Sequence, residues 1–444
     1  MSGQVRRGAL RRACVISALL CGASSARAQQ AALPVVEPVL GPATDSGMTL
    51  DVARRIRPEL EPVPISVGAI DIVPSLGLRG GYDSNLYAEQ TAVRGEPYLQ
   101  VEPGVSLRSD IDKAVIRVEA TGRFARFNNQ PEAAEDSYSL SASGRYAVTS
   151  QVAAEAGAQV AQLIERRDSS GFPGGRVAPV RFVESTVYGR AFLDSGAMRG
   201  FASLDVTRFD FRDTRALDAT GRAIGPIDQD IRDNRVIRGS ARLERRIGPA
   251  LGVFVQGIVS SIDYARAQVA PGVLNFTGKS YTGLVGVAFR PGNLVEGTVG
   301  VGYFSRSYDA AVLRPIRGVA VDAELKYYLT PLVTLTGAAS RSVEEAILQN
   351  RSSGLVSTRG SVRADYELLR PLIISAGGDY YVNAFRLYPR RDKVTAAFVN
   401  ARYSLSRNLT VDADVRYDRR AVDNDPLTAS FTAVVGSLGL RYAL

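Results

Sequence analysis

TASFTAVVGSLGLRYAL, residues 428–444, is the stretch whose reading decides the fold. Successive side chains of a strand point to opposite faces. Val434, Gly436, Leu438, Leu440, Tyr442 and Leu444 therefore fall on one side, and Ala433, Val435, Ser437, Gly439, Arg441 and Ala443 on the other. A chain that stops on such a strand, with a Tyr two residues before a terminal Leu, predicts the closing strand of an outer-membrane barrel. Lipid tolerates no open sheet edge, so that strand must pair with the first one. The terminal Leu departs from the usual Phe, which bears on recognition by the barrel-insertion machinery and not on the strand's place.

The remaining residues supply the partners. From about Ile72 onward, strand-like segments alternate with two kinds of connection. Tight ones fall at Ser109-Asp110, Thr149-Ser150, Ser195-Gly196, Gly248-Pro249, Pro291-Gly292, Thr330-Pro331, Arg370-Pro371 and Arg407-Asn408, with hairpin spacing around each. Long polar ones fall at 83–97, 129–136, 168–179, 213–232, 267–278, 309–317, 347–354, 387–392 and 421–428. Nine long loops and eight tight turns need 18 strands. That is the plan of an all-β, antiparallel transmembrane barrel of the outer-membrane type, with short periplasmic turns and longer external loops. The segments 251–266 and 333–346 alternate weakly, which leaves 16 strands as the alternative.

Polarity fixes the register. In VSTRGSVRADYEL (356–368), Val356, Thr358, Gly360, Val362, Ala364, Tyr366 and Leu368 oppose Ser357, Arg359, Ser361, Arg363, Asp365 and Glu367. A slip of one residue would put two Arg into hydrocarbon, at roughly 2–4 kcal/mol each near the midplane. Aromatics mark the borders. Tyr146, Phe192, Phe289, Tyr327, Tyr366, Tyr403 and Tyr442 stand just before the tight turns or the C-terminus. Tyr82, Tyr98, Tyr138, Tyr264, Tyr281, Tyr303 and Tyr380 stand towards the long loops. Two interfacial girdles are expected.

The N-terminus carries an address. Arg6, Arg7, Arg11 and Arg12 precede the apolar run Ala13–Ala23 and the A-x-A site Ala26-Arg27-Ala28, so residues 1–28 read as a cleaved secretory signal peptide. Localisation follows: the outer membrane of a Gram-negative cell, among outer-membrane lipid and lipopolysaccharide. Residues 29–70 form a Pro-rich lead-in on the periplasmic side, with one helical turn expected near Thr49–Arg55, and 71–444 form the barrel. Both Cys lie in the removed segment, and the chain has no His and no Trp. Disulfides, Cys/His metal sites, Ser-His-Asp triads and Cys nucleophiles are excluded by inventory. The formal charge of +9 includes five Arg of the signal peptide, too mild a remainder to argue for nucleic acid. No cofactor, metal or enzymatic site is expected; Asp228, Asp230 and Asp233 match no calcium-loop spacing.

The apparent inward faces are rich in Arg: Arg117, Arg123, Arg145, Arg190, Arg238, Arg242, Arg359, Arg363, Arg402 and Arg416. They line either a basic conduit for anions or a network of cross-strand ion pairs. The long loop 213–232 either folds inward as a constriction or stays outside. Glu344-Glu345 reads as solvated charge at the outer rim.

At the barrel's opening stands RIRPELEPVPISVGAIDIVPSLGLRGGYDSN. Through Arg57-Pro58-Glu59, Pro74-Ser75-Leu76 and Tyr82-Asp83-Ser84-Asn85, this segment resembles the opening of a family of alphaproteobacterial outer-membrane β-barrel porins associated with exopolysaccharide or capsule production. The resemblance implies a barrel of this size, a role in surface-polysaccharide traffic, and polysaccharide and periplasmic export components as partners. It carries no catalytic set. A general diffusion porin and a non-transporting, adhesive barrel are the rival readings.

Overall fold

The computed structural model describes residues 51–444 apart from 168, 170, 174, 271–272, 345–353, 387 and 426–427. The segment read as a signal peptide (1–28), both Cys, residues 29–50 of the lead-in, Glu345 and most of the loop 347–354 lie outside the described residues.

Eighteen long strands form one closed antiparallel sheet: β1 (Ile70–Asp83), β2 (Glu96–Ile111), β3 (Ala114–Phe127), β4 (Glu135–Ala147), β5 (Val152–Ile164), β6 (Arg181–Asp194), β7 (Met198–Phe211), β8 (Asn234–Gly248), β9 (Leu251–Tyr264), β10 (Gly278–Phe289), β11 (Val295–Tyr308), β12 (Ile316–Thr330), β13 (Val333–Glu344), β14 (Leu355–Leu369), β15 (Leu372–Phe385), β16 (Arg391–Ser404), β17 (Leu409–Asp423) and β18 (Phe431–Ala443). Each pairs with its neighbours in sequence. β18 also pairs with β1, Leu76 facing Tyr442 and Tyr82 facing Gly436, so no edge is left for lipid.

β9 and β13 are full members, and the count is eighteen rather than sixteen. In β9 the weak alternation has a physical cause. The inward residues of β9 include Phe254, Ile258 and Ile262, all nearly inaccessible: Phe254 lies under the Arg242 guanidinium, and Ile258 and Ile262 belong to the apolar cluster beneath the external loops. Apolar residues thus stand on both faces of β9, and the period of two weakens in the sequence. One turn moves as well: Ser109 and Asp110 stay in the ladder against β3, and the chain reverses at Asp112-Lys113, with Asp112 in the left-handed region (φ 39).

The outward faces are apolar. Val362 and Val285 are each 67% exposed, as lipid-facing residues must be once the bilayer is absent. Tyr82, Tyr146, Tyr327, Tyr366, Tyr403 and Tyr442 lie on this outward side, near the strand ends. Phe192, Tyr98 and Tyr264 do not. Phe192 shares the inward face of β6 with Arg190 and packs on Phe201, ring centroids 5.4 Å apart. Tyr98 meets Phe127 inside the barrel, and Tyr264 belongs to the apolar cluster beneath the loops. Strand parity, not mere proximity to a turn, decides which aromatic reaches lipid.

The outward position of Val362 can be checked. Val362→Arg is expected to cost roughly 2–4 kcal/mol of stability if the site lies near the midplane. Reversible unfolding of vesicle-inserted protein measures it; an unchanged midpoint would contradict the assigned face of β14.

Candidate functional site: a lumen crossed at both ends

An eighteen-stranded barrel is too wide for wall side chains to fill, so what enters the lumen decides what can pass. At the periplasmic mouth the entrant is the chain itself. A short strand, Ile65–Val67, folds back on the start of β1 around Gly68. The residues before it cross to the far wall, as a turn at 52–54 and not a helix. Val52 is wholly buried, and its amide donates to the Thr334 hydroxyl on β13 (3.1 Å). Lys326 of β12 donates to Asp51 (3.0 Å). Arg55 and Arg57 both donate to Glu367 of β14, at 2.8 and 2.6 Å. Outside the wall, Arg370 bonds Glu59 (2.6 Å). The Glu59 backbone amide and then Arg370 hold that carboxyl below the usual range, so this tether persists at neutral pH and is lost as pH falls through the lowered value. Residues 51–64 thus form a strap across the mouth.

At the external side the entrant is the loop 165–180 between β5 and β6. Glu165 receives both Arg232 nitrogens at 2.7 Å in a buried bidentate pair. Beyond it the loop runs to the opposite wall, where Arg166 stands 3.6 Å from Asp418 and Arg420 donates to the Arg167 carbonyl (3.3 Å), both partners on β17. Arg167 lies over the Tyr87 and Phe172 rings. Val177 and Val180 are buried. The segment 213–232, for which an inward and an outside course were both open, folds as a small hairpin (Thr214–Leu217 with Ala223–Ile227) on top of this loop, bonded through Ala178 to Arg215 and Leu217 to Arg176 (2.9 Å each). Sequence reasoning missed the loop 165–180. Its one legible sign was the run Val177-Ala178-Pro179-Val180 inside an otherwise polar connection.

All ten singled-out arginines lie on inward faces, and the structure shows what they hold. Arg123, Arg190, Arg242, Arg359, Arg363, Arg402 and Arg416 each have a carboxylate within 4.0 Å. Arg145 and Arg242 also lie over Phe192 and Phe254. Arg117 faces Arg108 across the β2–β3 ladder, and Arg238 is half-buried on β8. Most of the set therefore braces the wall. Glu344 is not solvated either: it is 2% exposed and receives Arg359 at 3.0 Å. Among the carboxylates outside, Asp213, Asp228 and Asp230 come together, with Arg266 bridging the latter two at 2.7 Å.

Between the loop and the wall from β12 to β17 remains a cavity of about 290 Å³. Arg166 and Arg416 mark its β17 end, and Asp322 and Glu324 of β12 the other; Arg359 and Asp379 lie between. Small inward residues (Ala338, Ser340, Ser361) keep it open. Here charged groups of both signs border the restricted lumen.

The model of one family, described as "Putative beta-barrel porin 2", matches residues 57–444. The chain belongs to that family. Solved outer-membrane proteins of low sequence identity are similar to it over most of their length. OccK1 (OpdK) of Pseudomonas aeruginosa is 14% identical over 84% of this chain and 99% of its own, with a TM-score of 0.43. OccK2 (OpdF) of the same organism, solved with glucuronate, is 12% identical over 84% and 98%, TM-score 0.44. The copper transporter OprC is 11% identical over 86% and 81%, TM-score 0.47. No curated protein matches the chain.

Proposed function

We propose that this porin-family barrel is an outer-membrane channel for small dipolar solutes, passing them along the cavity between the loop 165–180 and the β12–β17 wall. The observation that carries the reading is the separation of charge across that cavity, with Arg166 and Arg416 at one end and Asp322 and Glu324 at the other. A solute bearing a carboxylate and a hydroxyl or ammonium group can align with this field without shedding all its hydration, because fixed charges replace the lost water. The arginines are largely balanced by neighbouring acids: Arg359 by Glu344, and Arg416 with Arg166 by Asp418. Net ion selectivity should accordingly be weak.

Reversal potentials in planar bilayers under a salt gradient test this. Wild type is expected near zero, and Arg166→Glu is expected to shift the channel towards cations. Strong anion preference in the wild type, or no shift in the variant, would defeat the reading.

The family resemblance supports a second function, export of exopolysaccharide or capsule. A polymer would need both the strap and the loop to leave the lumen. Deletion of the protein followed by assay of external polymer separates the two, since normal polymer in the medium removes the export role.

A further inference from the structure

We infer that the outward face of β7–β12, at its external border, is a binding site for the phosphates of a phosphorylated glycolipid in the outer leaflet. Arg208 on β7 and Arg235 on β8 stand directly opposite each other in register, on the lipid side of the wall. Their side chains are 73% and 58% exposed. Like charges directly opposed across a ladder are destabilising, and nothing in the fold requires them there. Lys279 on β10 and Arg317 on β12 continue the row, both exposed and outward.

The row follows the barrel's stagger. Arg235 pairs with Asp263, Lys279 with Ser261, and Arg317 with Ser305 where Lys279 pairs with Ser307. Each step therefore descends along the neighbouring strand. The outer aromatics descend in the same sense, because Tyr303 of β11 pairs with Gly283, below Tyr281 of β10. Lys279 lies one outward-facing step beyond Tyr281, about 7 Å along the strand. Likewise Arg208 and Arg235 lie one step beyond the opposed pair Val206 and Ile237. The cations thus form a belt just outside the ring level, where headgroup phosphates begin.

The acids nearby do not cancel it. Asp210 lies 3.9 Å from Arg208 and 3.4 Å from Arg212, and Asp263 lies 3.2 Å from Arg235. The four cations of the row and Arg212 outnumber the carboxylates paired with them, Asp210 and Asp263. Guanidinium groups at adjacent strand positions can each fork onto one phosphate, which favours a ligand carrying more than one. Only the outer leaflet reaches this level.

The test uses the full-length refolded chain in detergent, titrated with bisphosphorylated lipid A, its dephosphorylated form, or phosphatidylglycerol, and read by native mass spectrometry and by unfolding temperature. Bisphosphorylated lipid A is expected to bind and to raise the unfolding temperature. Arg208→Gln, Arg235→Gln, Lys279→Gln and Arg317→Gln together are expected to weaken that binding by an order of magnitude. Should that variant not fold, the Arg208→Gln, Arg235→Gln pair carries the same expectation. Arg126→Gln, an outward cation on β3, should change nothing. Undiminished binding in the belt variants, equal binding of the dephosphorylated form or of phosphatidylglycerol, or an equal loss in Arg126→Gln would each overturn the site.

Discussion

Conductance in planar bilayers should rise several-fold when the strap loses its anchors in a Lys326→Ala, Glu367→Ala double variant. Both side chains sit on the inner wall and hold segments that arrive from the opposite side of the mouth. Glu367 holds two of the strap's arginines, and the Arg57–Glu367 pair has side chains only 9% and 5% exposed. Removing one member of a buried pair leaves the other charge uncompensated, at about 3–5 kcal/mol. The cheapest relief for Arg55 and Arg57 is to leave for water, taking the strap with them. Deleting residues 51–64 should give the same conductance without touching the wall. If both variants conduct like wild type while retaining the heat-modifiable gel mobility of a folded barrel, the strap does not limit the bore.

Deleting residues 430–444 should leave no folded barrel at all. β18 supplies one continuous ladder to β17, from Leu409↔Tyr442 to Arg420↔Phe431, and another to β1, from Ser75↔Ala443 to Asp83↔Val435. Without it, two rows of backbone amides and carbonyls would face hydrocarbon. Each unsatisfied group there costs several kcal/mol, more in sum than a domain's whole stability. The expected result is absence of the heat-modifiable band and loss of the protein from the outer-membrane fraction. An inserted, seventeen-stranded product would refute the closure described above.

The wall was legible in the sequence and its contents were not. A strand such as Val356–Leu368 declares both faces by itself, since lipid on one side and water on the other impose a period of two. The tight turns are local too, so the strand count followed. The strap and the inward loop depend on partners that no local pattern reveals: Arg57 meets Glu367 and Arg167 meets Arg420, partners 310 and 253 positions apart in the chain. The arginines show the same limit. Parity puts Arg359 and Arg363 on the inner side, but only the folded geometry shows that Glu344 and Asp365 already occupy them. Phe192 and Tyr98 show the converse: both stand near strand ends, but their parity turns them into the barrel.

The strap also imposes an order in time. It precedes β1 in the chain, yet Asp51 docks on Lys326 and the Val52 amide on Thr334, contacts spanning 275 and 282 residues. Those docking positions do not exist until β12 and β13 have been laid into the wall, and contacts of such separation form late. During assembly the strap therefore cannot seat before the middle of the wall is in place, although it leaves the ribosome ahead of every strand.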